Sequence, residues 1–328
     1  MPPSLWPIEK ANAWYQEQPW LVGCNFIPST AINQLEMWQW QTFDLDTIDL
    51  ELSWAANLGF NSVRVYLHDL LYESDAAGLK TRMRSFLNII SSHGIRPVFV
   101  LFDDCWNQNP RLGMQPDPIP GVHNSGWVQS PGSDKVCNSA TWGILQDYVE
   151  DVLSTFGQDE RILMWDLYNE PGNNQLGTKS LPFLQAVGRW AQAVRPEQPI
   201  SVGLWADFSE LNQYQLSISD VITFHNYNDA ASLEKQIESL QASGRPLICT
   251  EYMARTRDSR FETHLPIFKR HAVGCFNWGL VNGRTNTIFP WGSPKGAPQP
   301  EVWFHDIFRK DGTPFDPQEV AFIRTITG

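Results

Sequence analysis

A chain of 328 residues, 42% hydrophobic and 18% charged, can bury a large core, and α/β barrels reach this size as a single domain. Its net charge of −12 disfavours a polyanion such as nucleic acid as partner. No run of 18 apolar residues exists to span a membrane as a helix.

The N-terminus, MPPSLWPIEKANAWYQ, lacks the basic start and apolar stretch of a secretory signal. A complete chain would therefore be cytoplasmic, and a chain trimmed of a leader periplasmic or secreted. Beyond it a pattern recurs: an amphipathic helix, a glycine, then a short β-rich run. IDLELSWAANLGF leads into NSVRVYL, MRSFLNIISSHG into IRPVFVLF, IESLQASG into RPLICTEY, and LPIFKRHAVG into CFNWGLV. In the second of these, Leu79, Met83, Phe86, Leu87 and Ile90 form one apolar stripe, and Gly94 supplies the left-handed stop. The β-rich runs are almost continuously apolar, as strands buried on both faces of a parallel sheet must be.

Eight such runs are predicted: Leu21–Ile27, Ser62–Leu67, Pro97–Phe102, Ile162–Tyr168, Ile200–Trp205, Val221–Tyr227, Leu247–Tyr252 and Cys275–Val281. A helical stretch follows each, the last delayed until about Pro317. Eight β/α units indicate a single (β/α)8 barrel over residues 1–328. The rival, an open doubly wound sheet, would carry phosphate-cradling glycine patterns that are absent here.

Reactive groups in such barrels sit where strands end. The predicted ends offer Asn25, Arg64, Asp103-Asp104, the run Asn169-Glu170-Pro171, His225-Asn226-Tyr227, Thr250-Glu251-Tyr252 and Asn277-Trp278. Glu170 on strand 4 and Glu251 on strand 7 would then face each other across the barrel mouth. Cleaving a glycosidic bond needs such a pair, one carboxyl protonated to release the leaving oxygen and one ionised to attack the anomeric carbon. The carboxyl that serves as acid/base is expected to have a raised pKa. Arg64 would face the ionised Glu251, and Tyr227 would donate a hydrogen bond to it. Asn169 is placed to hold the sugar 2-OH. His225 and Tyr227, two residues apart on a strand, point to the same side.

The 34-residue stretch from Trp106 to Ser139 is longer than an ordinary βα loop and reads as a binding wall. Trp106, His123, Asn124 and Trp127 are candidate substrate contacts there, as are Trp38 and Trp40 in the first βα loop. The 15 tryptophans of the chain suit stacking on sugar rings as well as core packing. Asp103 is a further candidate contact. Asp103, Asp104 and His123 are the nearest thing to a metal set, but adjacent aspartates on a strand face opposite ways, so no metal is expected. Of the five cysteines, Cys24, Cys249 and Cys275 lie in strand-like runs and read as small buried hydrophobes. Cys105 and Cys137 flank the long loop and are the one candidate disulfide.

Asn-Glu-Pro closing strand 4 and Thr-Glu-Tyr closing strand 7 resemble clan A glycoside hydrolases, notably family 5 and the barrel of family 2. Arg64 on strand 2, His225-x-Tyr227 on strand 6 and Trp278 on strand 8 strengthen the resemblance, which spans Gly23 to about Gly283. FDDCWN and PGVHNSGWV are also similar to bacterial proteins labelled xylanase or cellulase. One departure is Asp103-Asp104-Cys105-Trp106, where many family 5 enzymes carry a histidine after strand 3. The resemblance implies a retaining β-glycosidase without cofactor, acting on plant-type oligo- or polysaccharides. In it Glu170 is acid/base and Glu251 nucleophile, with Arg64, Asn169, His225, Tyr227 and Trp278 shaping the sugar site. Two rivals are a non-catalytic carbohydrate-binding barrel and a metal-dependent barrel hydrolase. The second lacks the His-x-His expected on an early strand.

Overall fold

The computed structural model describes residues 5–207 and 209–328. Its centre is one eight-stranded sheet with the order β5-β4-β3-β2-β1-β8-β7-β6. The strands are β1 (Val22–Asn25), β2 (Ser62–Tyr66), β3 (Arg96–Asp103), β4 (Met164–Asn169), β5 (Ile200–Ser201), β6 (Ile222–His225), β7 (Leu247–Tyr252) and β8 (Gly274–Trp278). Every ladder is parallel. The two ends of the sheet meet beyond β5, where Leu204 bridges Phe224 in parallel. This is the expected (β/α)8 barrel.

Six of the eight strands are shorter than their predicted runs, while β7 matches its run and β3 extends one residue beyond it at each end. β5 is the extreme case: only Ile200 and Ser201 of the predicted Ile200–Trp205 join the ladder. An apolar run reports burial, and burial continues past the last ladder bond wherever the chain stays under a helix.

Helices cover the outside for the reasons the pattern gave. In the helix Asp69–Ser92, Leu79, Met83, Phe86, Leu87 and Ile90 are all buried, and Gly94 follows with φ +70°. The last barrel helix, Pro317–Thr327, starts at an Asp316 cap that accepts from two backbone amides. The N-terminal helix Ile8–Gln16 lies at the bottom of the barrel. There Trp14 and Tyr15 pack on Leu21, Val98, Met164, Ile248 and Phe276, residues near the starts of the strands. The bottom is thus sealed by apolar packing, which leaves the opposite mouth for polar chemistry.

Candidate active site

The mouth holds a cavity of about 470 Å³, lined by Asn169, Glu170, His225, Tyr227, Glu251 and Trp278 among others. The ends of β4, β6, β7 and β8 bring these residues together as the sequence predicted.

The site is built outward from Arg64, which is fully buried on β2. Its guanidinium donates to Asp166 on β4 at 2.7 and 2.9 Å, to Glu251 Oε1 at 2.7 Å, and to Asn169 Oδ1 at 2.7 Å. It also reaches Asn25 Oδ1 at 3.0 Å. A guanidinium carries five donors in a rigid fork, so one buried cation orients four neighbouring side chains at once. Arg64 is therefore both the ion-pair partner of Asp166 and a direct contact of Glu251. Asp69, the buried carboxylate that opens the helix after β2, pairs with His68 and Lys135 instead.

Glu251 accepts two further hydrogen bonds, from Tyr66 to Oε1 and from Tyr227 to Oε2, both at 2.9 Å. The Tyr227 contact was expected and the Tyr66 contact was not. Its signal was present: Tyr66 lies two residues beyond Arg64 on the same strand, so both side chains share a face.

Glu170 has different neighbours. Its Oε1 lies 2.8 Å from His225 Nδ1, and its Oε2 accepts from the Cys105 thiol at 3.1 Å and from Asn173 Nδ2 at 2.6 Å. Burial pushes its carboxyl up, but the hydrogen bond and charge of His225, with help from Cys105 and Asn173, outweigh burial and hold it below the ordinary value. This corrects the sequence expectation of a raised pKa, because residue types at strand ends carry no information about three donors converging on one carboxylate. Glu170 also adopts φ +45°, a left-handed conformation that costs a non-glycine residue about 1–3 kcal/mol. The turn is pinned by Asp104, whose carboxylate accepts from Gly172 N, Ser180 and Tyr168 at 2.6–2.8 Å.

One oxygen of Glu170, one nitrogen of His225 and one oxygen of Glu251 all lie within 4.8 Å of one another. Among the described residues this is the cluster with metal-ligand spacing. The Arg64 cation on Glu251 opposes a second positive charge there. Asp103, Asp104 and His123 do not converge: Asp103 serves Asn169 and Trp127, and His123 serves the Phe289 carbonyl.

Three expected contacts move elsewhere. Trp38 is fully buried against Phe43, Phe86 and Phe99, with its indole N–H on the Tyr66 carbonyl, so it is a core residue. Asp103 is 1% exposed and does not reach the cavity; it orients Asn169 and Trp127 from behind. Trp40 is exposed but lies outside this cavity. Trp106, His123, Asn124 and Trp127 do line it. Cys105 and Cys137 are free thiols, the first buried against Glu170 and the second exposed. Sequence reasoning also missed Trp205, although it closes the predicted fifth run, and Trp291 and His305, which line the cavity from positions without periodic or strand-end signals.

Residues 34–283 match the family model described as cellulase, glycosyl hydrolase family 5. A comparison with curated protein sequences returns no match. Among solved structures, a family 5 subfamily 18 enzyme variant of Streptomyces cattleya, in complex with Manβ1-4GlcNAc, superposes with a TM-score of 0.63 at 12% identity, covering 93% of this chain and 80% of that one. An exo-β-1,4-mannosidase of an Opitutaceae bacterium gives 0.63 at 17% identity, over 94% of this chain and 59% of that longer one. The endo-β-1,4-mannanase of Thermotoga petrophila gives 0.61 at 14%, over 94% and 76%. At such identities the superpositions speak for the barrel, while the family match speaks for the chemistry. No described helix is long and apolar enough to cross a membrane. The chain belongs to glycosyl hydrolase family 5 and is a retaining glycoside hydrolase acting on β-glycosides.

Proposed function

We propose that Glu251 is the nucleophile and Glu170 the general acid/base of a double displacement on β-linked oligo- or polysaccharides of plant type, and that residues 1–328 form one catalytic domain. The observation that carries this reading is that an oxygen of Glu170 and an oxygen of Glu251 lie within 4.8 Å of each other across the mouth. Retaining glycosidases hold their two carboxyl groups about 5–5.5 Å apart, whereas inverting enzymes need about 6.5–9.5 Å to admit a water.

The surroundings support the division of roles. Glu251, fixed by Arg64, Tyr66 and Tyr227, presents a carboxylate whose orientation is set before substrate arrives. In the first step it attacks the anomeric carbon while Glu170 gives its proton to the leaving oxygen. In the second step Glu170 takes a proton from water, which attacks the glycosyl-enzyme and restores the β configuration. The contacts that hold Glu170 low favour its base form, so the first step is expected to run best on the acid side of neutrality. Asn169, positioned by Arg64 and Asp103, meets the 2-OH, and Trp278 offers an apolar face for the sugar ring.

β-Mannosides come first as substrates, since the enzymes named above act on β-mannosyl linkages or bind such a disaccharide. The deciding experiment follows product anomers by NMR during early turnover of a β-linked substrate. The β anomer should appear first. An initial α product would remove the nucleophile role from Glu251.

A further inference from the structure

Whether a barrel glycosidase cuts inside chains or at their ends depends on whether its groove runs on past the reacting sugar. Here the long β3 loop and the segment after β8 are fastened to each other over that groove. Asn124 N donates to the Thr285 carbonyl at 2.8 Å, Gly296 N to the Pro120 carbonyl at 2.7 Å, and Asn286 Nδ2 to the Ile119 carbonyl at 3.1 Å. His123 Nδ1 donates to the Phe289 carbonyl at 2.8 Å. The contact is close enough to require a glycine: at Gly121 (φ +81°) a Cβ would stand 2.5 Å from the Ala297 amide nitrogen.

The fastened loops form a wall on the Glu251 side. Trp291 packs edge-on against Tyr227 at 4.9 Å, and His305 lies 5.7 Å from the same ring, whose hydroxyl bonds Glu251. Glu170 is flanked instead by Cys105 and Asn173, with His225 Nδ1 between the two carboxyl groups, 2.8 Å from Glu170 and 3.6 Å from Glu251. The leaving group must depart past the acid, so the wall stands behind the sugar that is being transferred.

That wall carries polar atoms with no protein partner. His305 is fully buried and lines the cavity; its Nδ1–H is spent on the Met253 carbonyl at 2.5 Å, and its Nε2 bonds to nothing. Burial holds its ring neutral, so Nε2 is an acceptor. Asn124, 2% exposed, likewise lines the cavity with an unpartnered Oδ1. Buried acceptors without donors are costly, and the hydroxyls of a terminal sugar are donors of the required kind.

We propose that the clasp between the β3 and β8 loops closes the groove behind the transferred sugar, making this a chain-end-cutting β-glycosidase in which His305 and Asn124 bind hydroxyls of the non-reducing terminal residue. The inference rests on the catalytic reading above. It goes further by assigning the mode of cleavage and a set of recognition atoms, and His305 lies outside the 34–283 family match.

The test uses the full-length enzyme with an aryl β-oligomannoside and the same compound carrying a benzylidene cap on its non-reducing sugar. The uncapped compound should be shortened stepwise from that end, and the capped one should not turn over. Gly121→Val, or Asn286→Ala should the first variant not fold, loosens the clasp and should admit the capped compound. His305→Leu should raise KM for a small aryl β-mannoside roughly tenfold, the worth of one hydrogen bond, with kcat less affected. Cleavage of the capped compound by the wild type at a comparable rate would overturn the clasp while leaving the catalytic reading intact. An unchanged KM in His305→Leu and Asn124→Ala would overturn the recognition atoms. No turnover of any aryl β-glycoside would sink the catalytic reading and this inference with it.

Discussion

The two sides of the barrel mouth present one carboxylate each, yet their surroundings are opposite in kind. On the β7 side Glu251 faces Arg64, a buried guanidinium tied in turn to Asp166, together with two tyrosine hydroxyls. On the β4 side Glu170 meets an imidazole, a thiol and an amide, and its turn rests on Asp104. Arginine does not lose its proton in proteins, whereas the donors on Glu170 are a ring nitrogen, a thiol that burial keeps protonated and a neutral amide. The difference teaches how one barrel separates two identical functional groups: a permanent cation fixes one carboxyl group, and the other, with no permanent cation on it, is the movable one that on the proposed mechanism cycles its proton.

The largest effect should come from breaking the fixed side. Glu251→Ala is expected to leave a folded protein with under a tenth of the wild-type rate. Added azide or formate should partly rescue it and give the inverted product. A variant that keeps more activity than that would mean another group attacks. On the movable side the loss should depend on the substrate. Glu170→Ala should cripple hydrolysis of glycosides with poor leaving groups while sparing the first step on activated aryl glycosides, which a comparison of leaving groups by burst kinetics would reveal.

His225 sharpens the contrast. Its contact is the chief influence that lowers the Glu170 carboxyl, with burial acting the other way. Removing it in His225→Phe leaves burial to dominate, so Glu170 should hold its proton to higher pH. The alkaline limb of the kcat/KM profile, which reports loss of that proton, should therefore move up. A limb that stays put or moves down would refute the assignment.

The smallest effects lie in the supports. Asp104 is pushed up to about 7 by burial, against the lowering bonds of Tyr168, Ser180 and Gly172. With a folded pKa above the unfolded one, the unfolded chain releases the proton first, so this group costs stability as pH rises from about 4 to 7. Asp104→Asn should flatten that part of a calorimetric Tm-versus-pH curve, though with a lower Tm at acid pH from its lost acceptor. In the loops, Trp38→Ala should destabilise by about 3–5 kcal/mol as a core cavity without a selective rise in KM. Trp127→Ala, which strips an indole packed on Trp278 at 5.6 Å, should also raise KM for oligosaccharides.

The barrel and the polar strand ends that gather at its mouth were legible because both are local. A glycine-stopped amphipathic helix and an apolar run declare a β/α unit within about thirty residues, and strand alternation puts Arg64 with Tyr66, and His225 with Tyr227, on common faces. Trp38 was misread for the same reason: a tryptophan in a βα loop looks alike whether the loop folds inward or over the mouth. The free Cys105 was misread as a disulfide candidate because its partner, Glu170, lies 65 residues away on the next strand.

The sequence by itself thus determined the fold class, the two glutamates and most of the polar set around them, since periodicity and chain position specify those. The tertiary structure alone decided the electrostatic division between Glu251 and Glu170, the loop clasp, and the place of Trp291 and His305 in the wall. Each of these depends on groups brought together from different strands and loops. Coulombic and hydrogen-bonding forces act over a few ångströms of space, and one-dimensional order does not record which residues will come that close.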